Sequence, residues 1–197
     1  TLTIRILACR NVEVVVDANI IVKSLSDSWI EESDDCHYGI SKQRCLITGA
    51  TGEIGSALAH RMAAQGIDLI LQHRGGSNKR AQLENRLLDV IGEGQKLEFM
   101  STDLLDLAGV DQLCEFLQDS GGVDYVVHLA SPSVRSKIDD LVAVNYTSFE
   151  KIANATIPGM LARQKGAIVS VGSVATERYI PGWQHYAAAK AMANQYA

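Results

Sequence analysis

The chain has 197 residues, 47% hydrophobic and 21% charged, the balance of an ordinary globular protein. Its formal net charge of −5 argues against a nucleic-acid partner, because phosphate contacts need clustered Lys and Arg. No apolar run approaches the ~20 residues needed to cross a bilayer, which excludes a membrane-spanning helix as partner of lipid.

The N-terminus lacks the basic-then-apolar layout of a secretory signal, so a cytoplasmic location is expected. Cys9, Cys36, Cys45 and Cys114 form no CxxC pair and have no His at zinc-ligand spacing. They read as reduced thiols, with Cys45 buried in a strand and no metal site; a disulfide is the alternative. The first residue is Thr1 rather than Met, and the natural start is expected to lie upstream.

Residues 1–23 alternate apolar and polar, through Leu2, Ile4 and Ile6 and again from Val12 to Val22. Period-two alternation predicts strands with one buried face, and Arg10-Asn11 between the runs predicts a β-hairpin. Residues 24–42 shift to Ser, Asp and Glu and read as an acidic linker, with Trp29 and Ile30 as its apolar anchors. From residue 43 the rhythm becomes strand, helix, strand. Strands are predicted at Arg44–Thr48, Ile67–His73, Lys96–Thr102, Val123–Ala130 and Gly166–Gly172. Between the first two, Ile54, Leu58 and Met62 recur at helical spacing and predict one apolar helix face. Alternation of this kind implies an α/β fold: a doubly wound parallel sheet with helices on both faces.

The first strand runs into Thr48-Gly49-Ala50-Thr51-Gly52-Glu53-Ile54-Gly55. Gly49 permits a tight turn, Gly52 lets backbone approach a pyrophosphate, and Gly55 lets the helix pack close to the sheet. The helix N-terminus offers free N–H groups and partial positive charge to phosphates. Thr51, Glu53 and Ile54, lying between the glycines, are candidate contacts too. A purely structural turn is the alternative. The placement is that of a Rossmann dinucleotide site.

The second strand ends in Gln72-His73-Arg74, without the acidic residue that would hold the ribose 2′-hydroxyl of NAD. Arg74, with Lys79 and Arg80 nearby, can instead meet a 2′-phosphate, which favours NADPH over NADH. Solvated surface charges are the other reading. Asp103 ends the third strand, with Leu104 beside it, and either accepts from an adenine amino group or caps the following turn. Ala130, at the end of the fourth strand, is small enough to let ribose and nicotinamide approach. His128 reads as a packed, hydrogen-bonded histidine rather than a catalytic one.

Tyr186 and Lys190 are four apart, hence on one helix face. A phenol of pKa near ~10 is a poor acid at neutral pH, and a neighbouring ammonium stabilises its phenolate. Such a pair suits general acid–base work on a carbonyl. Tyr–Lys pairs also arise by chance on surfaces, but Ser173 lies just past the fifth strand, where a hydroxyl can hydrogen-bond a substrate carbonyl.

Gly49, Gly52, Gly55, Ser173, Tyr186 and Lys190 together resemble the short-chain dehydrogenase/reductase family over residues 43–197, with Pro181-Gly182 ahead of the Tyr. The resemblance implies that Ser173 holds the carbonyl and Tyr186 donates the proton. It implies that Lys190 binds the nicotinamide ribose and lowers the Tyr pKa, and that Asn145 supports a proton-relay water. Tyr186 and Lys190 are thus also cofactor contacts. Within the family, residues 136–197 look most like the 3-oxoacyl-thioester reductases. NADPH-dependent reduction of a ketone, with a 3-oxoacyl thioester as the candidate substrate, is therefore the expected activity, with a homodimer or homotetramer formed through the helices bearing Asn145 and Tyr186.

Some features depart from that pattern. The Gly-x-x-Gly-x-x-Gly spacing and His128-Leu129-Ala130 lean toward the nucleotide-sugar branch, so an NAD(P)-dependent epimerase or dehydratase is the alternative enzyme. The stretch from Ser131 to Asn145 is short, so the helix bearing Asn145 is expected to enter differently. The chain ends seven residues after Lys190, before the strands and substrate loop the family adds, and is expected to be incomplete there. A non-catalytic cofactor-binding interaction protein is the reading of another class. The first residues also faintly resemble the end of a hotdog-fold dehydratase or thioesterase.

Overall fold

The computed structural model describes residues 4–8 and 43–197. The second arm of the expected hairpin, the acidic linker with Trp29 and Ile30, and Cys9 and Cys36 lie outside the described residues. The elements in chain order are β1 (Ile4–Ala8), β2 (Arg44–Thr48), α1 (Glu53–Ala64), β3 (Asp68–His73), α2 (Ser77–Leu88), β4 (Leu97–Ser101), α3 (Leu107–Asp119) and β5 (Tyr125–His128). There follow α4 (Ile138–Val142), a π turn (Ala143–Thr147), α5 (Ser148–Ala162), β6 (Ala167–Val171), a 3₁₀ turn (Val174–Thr176) and α6 (Gln184–Tyr196).

Strand order is β1-β6-β5-β2-β3-β4. The five strands from β2 to β6 are parallel, and β1 runs antiparallel along the outer edge of β6, with Ile4 opposite Val171 and Ala8 opposite Ala167. The first arm of the expected hairpin is thus a strand. Its partner is the edge of the large sheet, and the outer backbone groups of β6 are thereby paired.

Alternate residues of the inner strands feed two cores. Cys45 and Ile47, Leu69 and Leu71, Tyr125 and Val127 pack with Leu58 and Met62 of α1 and Leu83 and Leu87 of α2. Leu46, Ile70, Val126 and Ile168 pack on the opposite face with Leu113 and Leu117 of α3 and Phe149 and Ile152 of α5. Burial on both faces is why these strands read as nearly continuous apolar runs. It also explains Cys45, which is fully buried and whose thiol pKa is raised by that burial.

One expectation fails here. Leu58 and Met62 are buried, but Ile54, expected to begin the same stripe, is 55% exposed. It lies in the first turn of α1, where Gly55 rather than Ile54 meets the buried side at Gly49 and Ala50.

The chain leaves central β2 toward β3 and β4, then returns to the other side of β2 through β5 and β6. That reversal opens a crevice outside the carboxyl ends of β2 and β5, where ligands of open α/β sheets bind. Thr48 and His128, the last residues of these strands, are register partners at its floor.

Candidate active site

The turn leaving β2 is shaped by what crosses it. Gly49 has φ +66°, and a Cβ there would come within 3.0 Å of Ala130 Cα, so the segment after β5 presses directly on the turn. A Cβ on Gly55 would overlap the Gly49 carbonyl oxygen and lie 2.8 Å from Ala50 Cα. Gly52 precedes α1 with no side-chain cap, leaving the first helical N–H groups without that partner.

Gln72 holds the turn in place. Its Oε1 accepts from Gly49 N at 2.9 Å, its carbonyl oxygen accepts from Ala50 N at 3.0 Å, and its Nε2 donates to the Thr102 carbonyl oxygen at 2.6 Å. One buried amide therefore joins the glycine turn to the ends of β3 and β4. Its pattern of bonds fixes which end of the amide is oxygen.

Above the turn lies a cleft of about 490 Å³. Gly49, Thr51 and Gly52 line it on one side and Arg74 and Lys79 on another. Asp103 and Leu104, after β4, and Ala130, after β5, complete it. Glu53, Ile54 and Gly55 form the first turn of α1 and are not among the lining residues. Arg80 is turned to other work: its guanidinium lies 4.9 Å from the Phe99 ring and 3.3 Å from the Glu84 carboxylate. Asp103 Oδ1 accepts from Leu105 N at 3.1 Å, so this residue caps a turn and borders the cleft at once.

Ser173 follows β6 and starts the 3₁₀ turn, where its Oγ accepts from Ala175 N at 3.2 Å. That turn packs against α6, which carries Tyr186 and Lys190 one turn apart. Lys190 is 4% exposed, and its Nζ donates to the Val171 carbonyl oxygen at 3.0 Å and lies 6.0 Å from the centre of the Tyr186 ring. Burial lowers its pKa from 10.5 to about 8. Trp183 meets the Tyr186 ring edge to face, with centres 5.8 Å apart.

Asn145 sits in the π turn, which also packs against α6. The side chain is fully buried; Nδ2 donates to the Leu141 carbonyl oxygen at 2.9 Å, and Oδ1 accepts no hydrogen bond among the described residues. The preceding residue, Val144, lines the cleft. His128, also fully buried, approaches Thr48 Oγ1 through Nδ1 and the Val144 carbonyl oxygen through Nε2, both at 3.0 Å. Burial first, and the Lys190 charge second, push its pKa down to about 3. It is a packed, hydrogen-bonded histidine.

Seven sequence-derived cofactor candidates thus surround one cleft: Gly49, Thr51, Gly52, Arg74, Asp103, Leu104 and Ala130. Tyr186 and Lys190, the other two cofactor candidates, are together, Ser173 is on the adjoining turn and Asn145 on the π turn packed against α6, and none of these four is among the residues lining the cleft. The sequence reading missed Gln72 and Thr48. A polar residue inside an otherwise apolar buried strand was the available signal for Gln72, since a buried amide must find partners.

The family model described as short chain dehydrogenase matches residues 43–197. A 3-oxoacyl-[acyl-carrier-protein] reductase from Vibrio cholerae is 30% identical over 154 residues, 74% of this chain and 61% of that protein. The 7beta-hydroxysteroid dehydrogenase of Clostridium sardiniense is 29% identical over 155 residues, covering 74% of this chain and 58% of that one. A short-chain dehydrogenase from Sphingobium yanoikuyae, solved with NADPH, superposes with a TM-score of 0.69 at 28% identity, over 78% of this chain and 62% of that one. The chain spans less than two thirds of the length of each of these proteins. With the glycine turn, the strand order and the family match in agreement, the chain belongs to the short-chain dehydrogenase family.

Proposed function

We propose that residues 43–197 form the cofactor-binding and catalytic part of an NADPH-dependent carbonyl reductase acting on a ketone, with a 3-oxoacyl thioester as the favoured substrate class. The observation that carries the reading is the buried Lys190 ammonium one helical turn from Tyr186, beside Ser173, at the same sheet end as the cleft.

The residues present fit a dinucleotide. The first turn of α1 has uncapped N–H groups for a pyrophosphate. Arg74 and Lys79 border the cleft where a 2′-phosphate would be met, and β3 ends without a carboxylate. Lys190 has three N–H bonds and, among the described residues, one acceptor at Val171, which leaves donors for a ribose. A bound NADPH supplies the hydride.

The other steps belong to side chains. Tyr186 donates its phenolic proton to the substrate oxygen, and the Lys190 charge stabilises the phenolate left behind. Ser173 Oγ accepts from Ala175 N, so its own proton is available to orient that oxygen. Asn145 Oδ1, buried and unpartnered, is the acceptor for a relay water that returns the proton. We place the enzyme in the cytoplasm as a homo-oligomer paired through α5 and α6.

A second reading, a nucleotide-sugar epimerase or dehydratase, draws on the Gly-x-x-Gly-x-x-Gly spacing and on His128-Leu129-Ala130. Incubating the full polypeptide and NADPH with acetoacetyl thioester or with a UDP- or dTDP-hexose separates the two. The first reading expects loss of absorbance at the reduced-cofactor band with the thioester. Product formation from the sugar alone favours the second.

A further inference from the structure

We propose that His128 is a positioning residue: its Nε2–H, donated to the Val144 carbonyl oxygen, sets the π turn that carries Asn145 and ties it to the floor of the cleft. The inference rests on the reading of Asn145 under Proposed function.

The direction of every bond around His128 follows from the partners. A carbonyl oxygen carries no proton, so Nε2 must be the donor to Val144, 3.0 Å away. Burial keeps the ring neutral, which leaves Nδ1 as an acceptor facing Thr48 Oγ1 at 3.0 Å. Thr48 has one hydroxyl proton to give to Nδ1, while its oxygen accepts from Leu129 N and Ala130 N, both at 3.1 Å. Only this tautomer satisfies all four groups.

The far end of the chain of contacts is the π turn. Insertion of a π turn breaks the regular helical ladder. Here the Val144 carbonyl oxygen takes two side-chain donors, Ser148 Oγ at 2.8 Å and His128 Nε2. The next residue is Asn145, whose Oδ1 is left bare. At the near end, Ala130 is the residue that presses on Gly49. A continuous path therefore runs from the glycine turn through Ala130, Thr48 and His128 to Asn145.

The test uses the full polypeptide and compares His128→Leu, His128→Gln, Asn145→Ala and the His128→Leu/Asn145→Ala double variant, with Tyr186→Phe as control. Glutamine can place an N–H near the position of Nε2, whereas leucine keeps volume without a donor. Turnover in His128→Leu is expected to fall about tenfold or more, with His128→Gln largely restored and the double variant no slower than Asn145→Ala alone. The NADPH dissociation constant, read by fluorescence titration, is expected to stay within about threefold throughout. Amide exchange of residues 143–147 should quicken in His128→Leu and not in His128→Gln. If the leucine variant fails to fold, His128→Met, which likewise keeps volume and offers no N–H to the Val144 carbonyl oxygen, replaces it with the same expectations. Glutamine as slow as leucine, or losses that multiply in the double variant, would overturn the proposal. An active Tyr186→Phe would instead overturn the reading on which it rests.

Discussion

Lys190 Nζ donates to the carbonyl oxygen of Val171, the last residue of β6, from a position 4% exposed to solvent. The bond fastens α6 to the sheet two residues before Ser173, and so links the strand end to the helix that bears Tyr186. A buried ammonium with a single acceptor among the described residues is an expensive group for the fold to keep. In the proposed mechanism its use is charge beside a phenol.

That expense has a pH signature. The Lys190 pKa falls from 10.5 to about 8 in the folded protein, so between those values the unfolded chain holds more protons than the folded one. The contribution of this residue to stability therefore rises with pH from 8 to 10.5. Lys190→Met is expected to raise the melting temperature at pH 7, to flatten that rise, and to reduce NADPH affinity and turnover. Thermal melts across pH 6–10.5 check the first two and titration with NADPH the third.

His128 acts at the acid end with the same sign. Its pKa falls from 6.5 to about 3, so the folded protein resists protonation that the unfolded chain accepts between those values. Stability is expected to drop as pH falls below 6.5, with a slope from this residue of at most about 1.4 kcal/mol per pH unit. His128→Gln should remove that slope, measured by urea unfolding at pH 4, 5 and 7.

Gly55→Ala should be poorly tolerated, because the new Cβ would meet the Gly49 carbonyl oxygen and Ala50 Cα, both backbone. The expected loss is about 1–3 kcal/mol of stability. Loss of NADPH binding should accompany it as the glycine turn shifts. Urea unfolding together with a binding titration tests this, and an unchanged midpoint would show that α1 does not rest on the turn as described.

Arg74 and Lys79 border the cleft, while Arg80 is held by Phe99 and Glu84. Arg74→Ala is therefore expected to weaken NADPH by about 1.5–3 kcal/mol, the worth of a hydrogen bond to a charged group, and leave NADH within twofold or so. Arg80→Ala should leave the ratio of the two affinities unchanged. Parallel fluorescence titrations with both nucleotides measure it.

Much of this was legible in the residues. The four inner parallel strands announce themselves because burial on both faces demands apolar runs, while edge strand β4 is only half-buried; each observed parallel strand falls inside its expected range, the first with both ends matched. The glycine turn is equally legible, since its spacing answers a steric need. Periodicity does not reveal partners: alternation in residues 2–6 indicates a strand but not that it pairs with β6. Nor does it reveal the π turn, whose extra residue leaves no mark in the apolar pattern, so Asn145 stood out only by family resemblance. Gln72 works through bonds to residues 23 and 30 positions away, which no local pattern encodes. Ile54 misled because helical spacing says which residues share a face, not where the core ends.

The most direct test is Tyr186→Phe, which removes one hydroxyl and keeps the ring that Trp183 packs against. Turnover of an acetoacetyl thioester should fall by about 10²–10⁴, the usual worth of a positioned acid, while the NADPH dissociation constant stays within a few-fold. A variant that binds NADPH and still reduces the ketone at near the parent rate would contradict the assignment of Tyr186 as proton donor.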